Sequence, residues 1–137
     1  MDFQSQCQSD EPVAAQPRVI IHVCETCRSG TEASDGPRDG ARLADQTASL
    51  AQAGIAVVPV ACLANCKRAL SACIQRVDGW SYVFGELGLD ASPDLIEGAR
   101  LLASSADGLM PWKGRPDCLK RGMIARIPPI PTQFPKI

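Results

Sequence analysis

Two apolar runs in this chain each end in a pair of cysteines, and this coincidence limits the fold more than any other feature. Arg18-Val19-Ile20-Ile21-His22-Val23 runs into Cys24-Glu25-Thr26-Cys27. Ile55-Ala56-Val57-Val58-Pro59-Val60-Ala61 runs into Cys62-Leu63-Ala64-Asn65-Cys66. β-Branched residues dominate both runs and mark them as strands. Between them, Ser29 to Gly40 is rich in Gly, Ser and Asp and reads as a loop. Ala41 to Ala53 then carries Leu43, Ala44, Ala48, Leu50 and Ala51 at roughly helical spacing, with Gly54 just past its end. A strand, a helix and a strand of this size form a βαβ unit, whose two strands are parallel. Parallel strands deliver their C-terminal ends to one edge of the sheet, where open α/β sheets place their ligands. Residues 28–61 therefore do not hold the cysteine pairs apart; the topology brings them together.

Four thiols in two close pairs are the donor set of a metal or iron–sulfur site. A tight turn aims Cys24 and Cys27 at one centre, and a single helical turn places Cys62 and Cys66 on one face. A two-iron cluster takes two thiolates per iron, and a structural zinc takes the same four, so spacing alone leaves both open. Two features favour the cluster. The pairs end the strands of a core α/β unit, and Arg28, Lys67 and Arg68 flank the thiols, where cations favour a cluster's reduced, more negative form. Ordinary solvated charge accounts for those three residues equally well. A Rieske-type centre needs two histidines, and the chain has only His22, which reads as a sheet-face residue. A dithiol oxidoreductase would place its first cysteine at a helix N-terminus. Here Cys27 runs into a polar loop, and that reading leaves Cys62 and Cys66 unexplained.

The totals agree with reduced, metal-holding thiols. Seven cysteines, an odd number, with pairs two or three residues apart, suit a disulfide framework poorly. A net charge of −1 and few aromatics give no case for nucleic acid. Residues 1–17 read as a flexible, acidic tail without a basic and apolar leader, and no apolar run is long enough for a membrane span, so the expected location is cytoplasmic. Cys7, Cys73 and Cys118 read as spare or core thiols.

After Cys66, Ser71 to Arg76 and Trp80 to Phe84 read as strands joined at Asp78-Gly79, a hairpin signal, with Gly85 and Gly88 breaking the second. Ser92 caps a helix to about Ser105, with Pro93 at its first position. The expected architecture is α/β, a mixed four-stranded sheet in the order β-α-β-β-β-α over residues 18–106. A C-terminal extension, 107–137, holds six of the eleven prolines and packs on the domain. Its Pro128 to Pro135 end reads as extended, and 116–121 as one short turn ending at Gly122.

Cys62-Leu63-Ala64-Asn65-Cys66 followed by an apolar strand resembles the thioredoxin-like two-iron ferredoxins, over about residues 18 to 105. A closer resemblance covers nearly all the chain after residue 17. Cys24-x-x-Cys27-Arg28, the Trp80 to Leu87 stretch, Asp107-Gly108-Leu109-Met110-Pro111-Trp112 and Ile124-Ala125-Arg126-Ile127-Pro128-Pro129 are similar to a bacterial family of predicted metal-binding proteins of unassigned function, some of which accompany cobalamin-synthesis proteins. That family often has a further cysteine four residues after the Cys66 position; here that residue is Leu70, and Cys73 falls three later.

The resemblance implies ligation by Cys24, Cys27, Cys62 and Cys66. It also implies a thioredoxin-like ferredoxin fold and a 2Fe-2S one-electron carrier without catalytic activity. The implied partners are a redox protein, in the cobalamin case an enzyme reducing corrin-bound cobalt, and a second copy of the chain as a homodimer. The alternative is a non-redox zinc- or cobalt-binding adaptor or metal carrier. In that case Trp112, Lys113, Arg115, Lys120 and Arg121 form a docking patch; otherwise they belong to a solvated tail.

Overall fold

A computed structural model describes residues 18–27 and 38–131. The tail read over 1–17, with Cys7, most of the loop read over Ser29 to Gly40, Arg28 and residues 132–137 lie outside the described residues. The strands are β1 (Val19–Cys24), β2 (Ile55–Val60), β3 (Leu70–Arg76), β4 (Ser81–Leu87) and β5 (Met123–Ile127). The helices are α1 (Asp39–Ser49), α2 (Ser92–Ala103) and the short α3 (Cys118–Arg121), with one 3-10 turn at Cys66–Arg68.

The strands form one mixed sheet in the order β2-β1-β3-β4-β5. β1 and β2 are parallel, with Val19 opposite Ile55 and Cys24 opposite Val60. The remaining neighbours, β1–β3, β3–β4 and β4–β5, are antiparallel. Val19, Ile21 and Val23 are fully buried, while Ile20 and His22 between them are half-buried, as the strand's alternation requires. The buried set meets Leu43, Ala44 and Thr47 of α1 and Leu95, Ala99 and Leu102 of α2, which also touch each other, so one face of the sheet carries the core. Pro59 sits on β2 without harm because β2 is an edge strand and leaves its outer hydrogen-bonding side unpaired.

The α/β class, the parallel βαβ unit and the hairpin at Asp78-Gly79 are present as the sequence implies, the turn closing with the Gly79 amide on the Arg76 carbonyl at 3.2 Å. Four differences stand out. The sheet has five strands, not four, because the C-terminal extension returns along β4 as β5. Its exposed residues and the prolines that follow hid it: an edge strand need bury little, so its pattern is weak. β4 runs through Gly85 to Leu87; register shifts on both sides of the strand absorb the glycine instead of ending it. α1 covers Asp39–Ser49, not Ala41 to Ala53. Ser92 lies inside α2 rather than capping it: Ala91 precedes the helix and no side chain caps it.

Candidate metal centre

Cys24 ends β1, and Glu25 and Thr26 turn the chain so that Cys27 lies beneath it. Both cysteines are buried, at 0% and 3% exposure, as members of the core. Parallel pairing then places the start of the second cysteine loop beside the first. The Glu25 amide donates to the Val60 carbonyl at 2.8 Å, and the Thr26 hydroxyl donates to the Ala61 carbonyl at 2.5 Å. The Cys24 thiol lies 3.6 Å from the Thr26 hydroxyl and 3.8 Å from the Ala61 carbonyl. Two loops far apart in sequence are thus laced together by Thr26, a residue no motif singled out.

The Cys24 and Cys27 thiols are neighbours that shift each other's protonation. Burial pushes the Cys24 thiol up, but hydrogen bonds from Cys27, the Thr26 hydroxyl and the amides of Leu63 and Thr26 outweigh it, and the net direction is down. Burial pushes Cys27 up to about 12, aided by its hydrogen bond to Cys24 and the negative charge there, while the Ser71 hydroxyl and amide pull the other way. The two thiols therefore shift in opposite directions, Cys24 down and Cys27 up, as two neighbouring acids do when one ionises before the other.

The second loop departs from the single helical turn that its spacing suggests. Residues 61–65 are irregular, and the 3-10 turn begins only at Cys66. Cys62 is exposed, and its sulfur accepts the Ala64 amide at 3.1 Å. Ala64 and Ala69 both take positive φ, 58° and 59°, so the 3-10 turn at Cys66–Arg68 is bracketed by backbone that L side chains disfavour. The Cys66 backbone starts the turn, and its side chain lies outside the described residues. Among the described residues, no group of three His, Cys, Asp or Glu side chains converges into a metal-sized cluster.

Four residues, Asn65, Ser71, Gly40 and Gly85, support the site in ways the sequence scarcely signals. Asn65 donates from its side chain to Ser71 at 2.8 Å, so a fully buried serine links the second loop to Cys27. Its only signal was a serine inside the apolar Leu70–Ile74 run. Gly40, in the first turn of α1, sits directly against the first pair: its amide donates to the Cys27 carbonyl at 2.9 Å. Gly85 packs against Asn65 and Arg68.

The remaining cysteines stand elsewhere. Cys73 is buried on β3 opposite His22, and burial raises its thiol to about 11. His22 pairs its Nε2 with Gln75 Oε1 at 2.9 Å, and its buried Nδ1 has no partner among the described residues. Cys118, on α3, lies 3.4 Å from an Asp94 carboxylate oxygen; burial, then that carboxylate, raise it to about 12. Lys67 and Arg68 are exposed on the 3-10 turn that follows the Cys62 loop.

The fold and this site define a mixed α/β protein with a buried dithiol where parallel strands end and a further cysteine loop laced to it. The chain belongs to the family described as protein of unknown function DUF1636, whose model matches residues 21–129. No curated protein and no solved structure matches the chain. No helix among the described residues is long and apolar enough to cross a membrane.

Proposed function

We propose that this protein holds a two-iron iron–sulfur cluster on Cys24, Cys27, Cys62 and Cys66 and works as a one-electron carrier. One observation carries the reading: the loop between Cys62 and Cys66 directs a main-chain amide at cysteine sulfur, Ala64 at Cys62 over 3.1 Å, while Thr26 holds the start of that loop against the first pair. Amides aimed at sulfur stabilise thiolates and tune the centre they hold. A buried dithiol with a further cysteine on the loop laced to it suits a site whose thiols give up their protons on loading.

Such a cluster accepts and releases single electrons. The chain's own residues do the rest. Burial of Cys24 and Cys27 shields one side of the centre, the exposed Cys62 loop leaves the other open to a partner, and Lys67 and Arg68 offer it positive charge. The β-α-β-β-β-α succession supports kinship with thioredoxin-like ferredoxins, with β5 as an addition. The family resemblance alone suggests a cytoplasmic role, a homodimer and an acceptor in cobalamin synthesis, one that reduces corrin-bound cobalt.

Burial of the first pair within the core also suits a structural zinc or a carried cobalt ion, which need no electron path. Visible absorption of anaerobically purified protein, with low-temperature EPR after dithionite, separates the two. Brown protein with a signal on reduction supports the carrier; colourless, EPR-silent protein with one zinc per chain rejects it in favour of the second reading.

A further inference from the structure

A second site lies away from the cysteines, on the flank of the sheet where β4, β5 and the 107–117 segment meet. A cleft of about 490 Å³ opens there, within the range of small-molecule sites. Its walls include Tyr82, Met110, Trp112, Arg115, Met123 and Arg126.

Arg115 decides what the cleft can hold. It is 7% exposed, and arginine is almost never so buried without a charged partner. Among the described residues it has no carboxylate in ion-pair range, and neither has Arg126. Main-chain carbonyls fix its orientation: Nη2 donates to Met110 and Nε to Pro111, at 2.5 and 3.2 Å. Nη1 donates to the Met123 sulfur, 3.6 Å away, a weak acceptor, and the Tyr82 hydroxyl is the remaining polar neighbour that favours the charge. The guanidinium lies 5.4 Å from the Tyr82 ring centre and 5.0 Å from that of Trp112. More positive charge gathers around it: Lys120 stands 5.2 Å from the Trp112 ring, and Arg126, held 4.8 Å over Trp80, is close enough to disfavour the Arg115 charge.

Asp107 also lines the cleft; its Oδ1 accepts the Ser105 hydroxyl at 2.7 Å and the Leu109 amide at 3.1 Å, and among the described residues it forms no ion pair with either arginine. Buried and clustered cations without counter-charge destabilise a fold, and an oxyanion that takes both guanidiniums removes that cost. Trp112, 58% exposed, and the two methionines add apolar surface beside the charge.

We propose that this cleft binds a small organic oxyanion, a carboxylate or phosphate on a flat apolar body, with its charge on Arg115 and Arg126 and its body against Trp112. The site shares no element with the cysteine loops, so binding survives Cys24→Ser.

The test titrates the full chain with phenyl phosphate, benzoate, inorganic phosphate and neutral benzyl alcohol, following tryptophan fluorescence. Saturable binding of an aryl oxyanion at millimolar affinity or better, with benzyl alcohol weaker by about tenfold, supports the site. The order of phenyl phosphate and benzoate then tells which oxyanion it prefers. Arg126→Gln, at an exposed position, weakens binding by about tenfold with an unchanged melting temperature, and Arg126→Lys restores part of it. Absence of saturation up to about 10 mM, equal binding of benzyl alcohol, or an unaffected Arg126→Gln variant overturns the proposal.

Discussion

The Gly40 amide donates to the Cys27 carbonyl at 2.9 Å, so the first turn of α1 is seated on the cysteine turn that ends β1. A Cβ at position 40 would lie 2.0 Å from the Cys24 carbonyl oxygen and 3.1 Å from the Cys27 nitrogen. Both are main-chain atoms, which no rotamer change can move aside.

Two opposite effects therefore meet in Gly40→Ala. Helix propensity favours alanine by about 1 kcal/mol. Overpacking against fixed backbone costs about 3 kcal/mol or more, so the clash wins. Urea unfolding should show a clear net loss of stability, together with loss of bound metal. A variant as stable as the parent would show that α1 is not seated on the cysteine turn.

Cys→Ser changes should sort the thiols into two groups. At 24, 27, 62 and 66 they should abolish or strongly reduce bound metal, measured per chain by elemental analysis. Cys73→Ser and Cys118→Ser should leave it intact, since Cys73 stands on β3 at the register position opposite His22 of β1 and the Cys118 sulfur lies 3.4 Å from Asp94. Full loading of the Cys62→Ser protein would remove the second loop from the site.

Alkaline pH should destabilise the fold through Cys73 and Cys118. Burial raises Cys73 from 9.0 to about 11, and burial with the Asp94 carboxylate raises Cys118 from 9.0 to about 12. Between about 9 and those values the unfolded chain has lost protons that the folded one keeps. The unfolded state binds fewer protons, so stability falls as pH rises through this window. Below about 9 the contribution is fully present. Comparing urea midpoints at about pH 8 and about pH 10.5 reads the fall, and Cys73→Ala with Cys118→Ala should reduce it, leaving the share that the raised Cys27 adds. An equal fall in the double variant would assign it to other groups.

Tyr82 is buried at 1% exposure, and its hydroxyl accepts the Met110 amide at 2.9 Å, tying the 107–117 segment to β4. Tyr82→Phe removes the acceptor and strands a buried amide, at a cost of about 1–3 kcal/mol. Amide hydrogen exchange at Met110 should speed up in step; unchanged protection there would mean that the bond carries no weight.

Arg76, too, acts at a distance in sequence. Its Nη1 donates to the Leu102 and Ser105 carbonyls at 3.0 and 2.7 Å, closing the C-terminal end of α2. Arg76→Ala should leave these carbonyls to water and lower stability by about 1–2 kcal/mol, measured by thermal unfolding.

The strands at 19–24 and 55–60, their parallel pairing, the hairpin at Asp78-Gly79 and the placement of cysteines at strand ends follow from the sequence alone. Each is written in neighbouring residues: β-branched runs, a turn dipeptide, a helix between two strands. The seating of Gly40 on Cys24 and Cys27, the Asn65–Ser71 link behind Cys27, β5 on the edge of the sheet and the burial of Arg115 between Tyr82 and Trp112 were decided by the tertiary structure. These depend on which surfaces meet once the chain has closed on itself. An exposed edge strand such as β5 and single close approaches leave little periodic trace, because they are fixed by partners many residues away and not by the pattern around them.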